Sequence, residues 1–390
     1  MNIVVHKYGG TSLGSLNRIL NVSKRLVNWV KKGYKLIVIV SAFYGATNRL
    51  SYIFDNYCYD YYSRERSAFI SIGEQMSSYL LSSSLKSIGC NSTFLSSWQI
   101  PVITTKFRKN NIIKYIGKSK IISYLRLYDI VVICGFQGID KYGFLRILSR
   151  GGSDISAVQI ASTFRLKNCY IYTDVDGVYS LDPNIFINAT KFAYIDYFSM
   201  IELSSVGSKV LQINSIYTAI SNLINIVVLS SLYSCDVKAE KNRGTIVSSR
   251  KLMIKSLFSS NEFFVKINFL NRLEIVYFLK FINTSLLCLD MFRINYVNFS
   301  IYFTVNNIDL SKINHRFKKN ISFIRKVCKV SIIGYGIKNC NREFYKIITI
   351  ISKLNIKIYD INSSELRTSF ITSRNKEACL LEFLSKSLNI

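Results

Sequence analysis

The chain has 390 residues, too many for one ordinary core, and 49% of them are hydrophobic, so two or three well-buried domains are expected. Its net charge is +28, but the excess is spread: residues 1–250 carry 29 Lys+Arg and 14 Asp+Glu, and residues 251–390 carry 22 and 9. With no basic arm or tail, the composition argues against a nucleic-acid partner and leaves attraction to acidic small molecules. Nine scattered cysteines form no CxxC pair, and "MNIVVHKYGG" holds no long apolar segment, so a disulfide framework and secretion are not expected and a cytoplasmic location is. Apolar runs such as "LIVIV" at 36–40 are far shorter than the ~20 residues of a membrane-spanning helix, so no membrane partner is expected.

Taken in chain order, "NIVVHKY" predicts a strand, "LNRILNVSKRLVNWVKK" has helical spacing, and "GYKLIVIVSA" predicts a second strand after a glycine join. This is the start of a βαβ unit. "DIVVICGF", "NCYIYTDV" and "INIVVLS" add buried strands, with helical stretches such as "SDISAVQIASTFR" between them. An α/β domain with a mainly parallel sheet sandwiched by helices follows. After about residue 250 glycine nearly vanishes and short β-rich runs appear. Residues from 326 onward predict strand, helix, strand, strand, helix, and a weaker version runs from Glu262 to Val305. The organisation expected is a domain over 1–250, a small degenerate α+β module over 255–325, and a second over 326–390.

The loops that follow the predicted parallel strands hold nearly every Gly–polar cluster: "YGGTS", "SAFYGATN", "GFQG", "SRGGSD" and "TDVDGVYSLDP". Ligands of open α/β sheets sit beyond the carboxyl ends of the strands, so these loops are expected to converge on one site. "KYGGTS" places Lys7 before a glycine pair, which suits either a phosphate-binding turn or an ordinary strand-to-helix turn. Arg150 in "SRGGSD" can grip a carboxylate or phosphate in bidentate fashion, while Ser153 or Asp154 can cap the following helix. Glu74 is expected at the front of a helix, and Asp174, Asp176 and Asp182 surround a glycine turn without EF-hand spacing. Only two histidines occur, which disfavours His-based triads and His-rich metal sites. A carboxylate acceptor needs no histidine, because it is already ionised near neutral pH.

Together "KYGGTS", "VSAFYGATN", "SIGEQMS", "GFQG", "LSRGGSDISAV", "YTDVDGVYSLDP" and "GSKVLQ" resemble, in order and spacing, the aspartate kinases of the amino-acid kinase superfamily. The C-terminal part resembles a pair of ACT modules, the second through "VSIIGYG" and "KLNIKIYDINSSELRTSFI". The resemblance implies transfer of the γ-phosphoryl group of ATP to the side-chain carboxylate of L-aspartate, with Mg2+ held by the ATP phosphates. The product would be 4-phospho-L-aspartate, on the way to lysine, threonine and methionine. By the same resemblance Lys7, with Gly9, Gly10 and Thr11, holds the transferring phosphoryl, Tyr8 is counted with them as ATP-binding, and Asp154 stands near that lysine. Glu74 pairs with the substrate ammonium, Arg150 and Thr47 fix its carboxylates, and Ser41 closes the pocket. Ser153, Thr173, Asp174, Tyr179 and Lys209 fall on the nucleotide side. A homodimer through the ACT-like modules is implied as well.

Two departures from the family pattern stand at the nucleotide's edge: Asn184 follows "DP" where an arginine is usual, and no His-Pro follows Lys209. Weaker ATP affinity with retained activity is the expectation. Both modules also lack proline between first strand and helix, so little or no inhibition by lysine or threonine is expected.

Overall fold

The computed structural model describes every residue except 58–63, 108–109, 150, 187, 209, 233–243, 251–254, 286, 335–340 and 389–390, and the side chains of 341–344. The chain divides into two compact units: Met1–Val178 with Lys191–Leu252, and Tyr179–Thr190 with Met253–Ile390.

The first unit begins as its periodicity predicts, with β1 (Asn2–Tyr8), α1 (Leu16–Lys31) and β2 (Tyr34–Val40). Near-continuous apolar runs suit strands covered on both faces, and the last five residues of both β1 and β2 are buried. Helix α1 turns Ile19, Val22, Leu26 and Trp29 inward, and the Ser15 hydroxyl caps its start by accepting from the Arg18 amide. The elements that follow are α2 (Ala46–Tyr57), α3 (Arg64–Ser87), β3 (Ser92–Leu95), β4 (Val102–Phe107), β5 (Asn110–Ile116), α4 (Lys118–Leu127) and β6 (Ile130–Cys134). Then come β7 (Gln137–Ile139), β8 (Leu145–Ile147), α5 (Gly152–Thr163), β9 (Asn168–Thr173), β10 (Tyr194–Asp196), α6 (Tyr197–Val206), α7 (Ile213–Asn222), β11 (Asn225–Ser230) and β12 (Thr245–Ser248).

Eight strands form one sheet in the order β10-β12-β11-β9-β1-β2-β6-β3, and only the β11–β12 pairing is antiparallel. From β1 the sheet grows to β2 on one side and to β9 on the other. The carboxyl end of β1 is therefore a switch point, where an open sheet leaves a crevice. Lys7 is its penultimate residue.

A second sheet, β5-β4-β7-β8, is not legible in the apolar pattern, because β7 and β8 are three residues each and β5 is mostly exposed. Helix α3 is also longer than its sequence suggests, since its serines bond within the helix: Ser71, Ser77 and Ser78 donate to the carbonyls of Ala68, Gly73 and Gln75. Glu74 consequently lies in mid-helix, not at the front. Among the described residues no helix is long and apolar enough to cross a membrane.

The second unit repeats one order of elements: β13 (Lys255–Asn268), α8 (Arg272–Ser285), β14 (Leu289–Asn295), β15 (Ser300–Val305), α9 (Asn307–Phe317), then β16 (Ile321–Gly334), α10 (Asn341–Lys353), β17 (Ile358–Ser363), β18 (Arg367–Thr372), α11 (Glu377–Leu388). The long strands β13 and β16 pair antiparallel and join both halves in one sheet, β14-β15-β13-β16-β18-β17. One core gathers Val265, Phe278, Phe303 and Ile313, the other Val330, Ile347, Phe370 and Leu384. Segment Tyr179–Thr190 packs with this unit because Leu181 enters the second core and the Leu257 amide donates to the Ser180 carbonyl.

Candidate active site

Side chains alternate along β1, so His6 and Lys7 face opposite sides of the sheet. His6 lies among Trp29, Tyr170 and Tyr172, with ring centroids 4.8, 5.4 and 5.0 Å away. Burial, with the charge of Arg25 second, lowers its pKa to about 3, so it is a neutral core residue. Lys7 meets Asp154 of α5 instead, Nζ to Oδ1 at 2.6 Å, with only 11% and 8% of the two side chains exposed. Two charges so withdrawn from water must be paired to persist.

The turn after β1 is built around bare backbone. A Cβ on Gly10 would stand 2.6 Å from the Ala42 carbonyl, so only glycine admits the close approach of the β1 and β2 loops. A Cβ on Gly9 would lie 3.6 Å from Lys7 Nζ and 3.9 Å from Thr11 Oγ1, so the ammonium and the hydroxyl share the space that Gly9 leaves open. The Gly9 amide donates to the Tyr172 carbonyl at 3.1 Å, tying this turn to β9, and the Arg18 guanidinium donates to the Thr11 carbonyl. Tyr8 itself is buried and stacks on Tyr172.

Glu74 reaches the same region from α3. Gly73 lets the helix press against the β2 loop, where a Cβ would stand 2.7 Å from the Ala42 methyl. Glu74 Oε1 then accepts from the Ala42 amide at 3.1 Å, while Oε2 is buried with no hydrogen-bond partner among the described residues. Desolvation raises this carboxyl to about 7, against the pull of the Ala42 bond. Ser41, half-buried, donates its amide to the Tyr8 carbonyl at 3.1 Å, and Thr47 sits half-buried in the first turn of α2.

Helix α5 begins at Gly152 after Gly151, whose φ of +77° favours glycine, and no side chain caps it. Neither Ser153 nor Asp154 is the cap, because both already stand within the first turn, where Asp154 meets Lys7. Ser153 packs on the β6 loop, so that a Cβ on Gly135 would come within 2.8 Å of its Cβ. At the end of β9, the Thr173 hydroxyl donates to Asp174 Oδ1 at 3.1 Å, and Asp174 is exposed. Asp176 pairs with Lys191 at 3.0 Å. Tyr179 is half-buried in the second unit, where Asp182 accepts from the amide and side chain of Asn184. Arg150 and Lys209 lie outside the described residues. The Ala42 amide, Gly73 and Arg18 are site-building groups that no sequence motif singles out as such; the GE pair at 73–74 carries the only local signal.

A model of the amino acid kinase family matches residues 2–230. An aspartokinase of Helicobacter pylori is 33% identical, with 95% of each chain covered. The chain belongs to the aspartokinases of the amino acid kinase family. A second family member, the aspartate kinase of Pseudomonas putida, is 30% identical over 95% of this chain and 93% of its own. Escherichia coli aspartokinase III, solved with lysine and aspartate, shares the fold with a TM-score of 0.80 over 99% of both chains at 18% identity. The aspartokinase fold thus extends through both units, including the paired C-terminal modules.

Proposed function

We propose that the chain transfers the γ-phosphoryl group of ATP to the side-chain carboxylate of L-aspartate, giving 4-phospho-L-aspartate and ADP for amino-acid biosynthesis. The observation that carries this reading is the buried Lys7–Asp154 pair beside the bare Gly9 turn, at the carboxyl end of β1. A phosphoryl group drawn to that turn meets an ammonium, backbone amides and the Thr11 hydroxyl, which together offset charge as it spreads in the transition state. Asp154 holds the ammonium in place. An aspartate carboxylate oxygen forms the new O–P bond while the bond from the γ-phosphorus to the bridging oxygen breaks, and the electron pair leaves with ADP. The carboxylate enters ionised, so no general base is needed.

Glu74 Oε2 is the acceptor for the substrate ammonium, with Ser41, Thr47 and Arg150 around the carboxylates. Ser153, Thr173, Asp174, Tyr179 and Lys209 serve the nucleotide. Among the described residues no three His, Cys, Asp or Glu side chains gather as a metal cage, and the Lys7 and amide donors suit an anion. This set fits Mg2+ that arrives on the ATP phosphates, where it supplies charge neutralisation. The same reading makes the protein a cytoplasmic homodimer joined through its C-terminal modules.

An acyl phosphate acylates hydroxylamine, so purified protein with ATP, magnesium, aspartate and hydroxylamine should accumulate aspartyl hydroxamate in step with ADP. ADP released without hydroxamate would mean that water, not aspartate, is the acceptor.

A further inference from the structure

Among the inward residues of α1, Arg25 carries a full charge and is 1% exposed. Burying a guanidinium is costly unless its donors and its flat face are both occupied. Its Nη1 donates to the Ser231 carbonyl, just past the end of β11, at 3.0 Å. Its central carbon lies 5.0 Å from the middle of the Tyr172 ring, near the end of β9. Tyr172 in turn stacks on Tyr8 at 4.7 Å with planes 10° apart.

Both of these partners, Ser231 and Tyr172, also hold backbone of the site. The Tyr172 carbonyl accepts from the Gly9 amide at 3.1 Å and the Ser12 hydroxyl at 3.5 Å. The Ser231 amide and hydroxyl both donate to the Thr173 carbonyl, at 2.8 and 2.9 Å. One side chain behind the sheet therefore braces the ends of β9 and β11 and, through Tyr172, the glycine turn after β1. Glu74 is anchored elsewhere, on the Ala42 amide of the β2 loop.

We propose that Arg25 is a positioning residue for the nucleotide: it fixes the turn at Gly9–Ser12 and the Thr173–Asp174 end of β9 from the far face of the sheet, and it leaves the aspartate side untouched. This rests on the nucleotide role given above to those residues. Arginine suits this position because one planar group can lie over the Tyr172 ring and donate along its edge to the Ser231 carbonyl at once, a geometry that a compact ammonium does not reproduce.

The test uses the full chain with Arg25→Met and Arg25→Lys, titrated with ADP and magnesium, with KM for each substrate and the thermal midpoint measured alongside. Arg25→Met should weaken ADP binding and raise the KM for ATP by about tenfold, with the KM for aspartate within about twofold. Its midpoint should stay close to that of the parent chain, since relief of a buried charge offsets the lost bond to the Ser231 carbonyl. Arg25→Lys, which keeps a donor but not the stacking plane, should fall between. Unchanged ADP affinity in a folded Arg25→Met, an equal loss for both substrates, or failure of both variants to fold would each overturn the proposal. ADP binding requires no phosphoryl transfer, so a parent chain that binds ADP yet forms no aspartyl phosphate would sink the kinase reading and leave this test standing. A parent chain that does not bind ADP would overturn both.

Discussion

Lys7 carries a buried charge at the end of β1, and its removal separates chemistry from stability. Lys7→Met should lower turnover about a hundredfold, because the amides of the turn remain but the ammonium does not. It also leaves Asp154 buried without its cation, so Lys7→Met with Asp154→Asn should regain thermal stability but not turnover; recovery of both would show that the pair is structural. Glu74 sets the acid limb of substrate use. With its carboxyl near 7 in the free protein, the form that can meet an ammonium is depleted as pH falls from 8 to 6, so kcat/KM for aspartate should drop there, and Glu74→Gln should be uniformly poor across the range. His6 and Glu74 set opposing slopes of stability. His6 is held near 3 in the fold, so below about pH 6.5 the unfolded chain takes a proton that the fold refuses, and roughly 1.4 kcal/mol is lost per pH unit. Glu74 is raised, so its contribution is present below the ordinary carboxylate range, near pH 4.5, and is lost as pH rises through about 7. Between those limits the two offset each other. Glu74→Gln should therefore expose a steeper loss of stability from pH 6.5 downward in chemical denaturation, and an unchanged profile would contradict these pKa directions.

At the scale of elements, the approach of α3 to the β2 loop places Glu74, and that approach depends on one missing methyl group. Gly73→Ala puts a Cβ 2.7 Å from the Ala42 methyl, so the helix must back away and the Glu74–Ala42 bond must stretch. The KM for aspartate should rise about tenfold or more and that for ATP little; the reverse pattern would place Glu74 on the nucleotide side. The central strands were legible because β1, β2, β6, β9 and β11 are apolar runs of five to seven residues bounded by polar turns. The three-residue strands β7 and β8 and the exposed β5 carry no such signal, since pairing rather than pattern defines them. The glycine loops were legible as candidates, but their convergence becomes evident only from close approaches such as Gly10 to Ala42 and Gly135 to Ser153. The capping expectation failed at α5 because the helix is capped two to three residues earlier than its polar residues suggest, at a glycine with left-handed φ.

For the whole molecule, the membership of Tyr179–Thr190 in the second unit had no local signature, because it depends on Leu181 meeting side chains from beyond residue 255. The repeated strand-helix-strand-strand-helix order was legible, and the shared six-stranded sheet was not, since register between long strands leaves no mark on either one. In the first module two of the amides between β13 and α8 are already engaged: Phe269 donates to the Phe299 carbonyl and Leu270 to the Glu274 carboxylate. They are unavailable to an amino acid's carboxylate, and coupling requires differential affinity between two states. Lysine or threonine at ~10 mM should thus inhibit by less than half at subsaturating aspartate. Phosphoryl transfer to aspartate is read out by ADP release from the purified chain with ATP and magnesium, offered in turn aspartate, glutamate, N-acetylglutamate, carbamate and a nucleoside monophosphate. ADP release should rise above background with aspartate alone and be lost in Lys7→Met; release that is independent of the acceptor, or greatest with another one, would contradict aspartate as the phosphoryl acceptor.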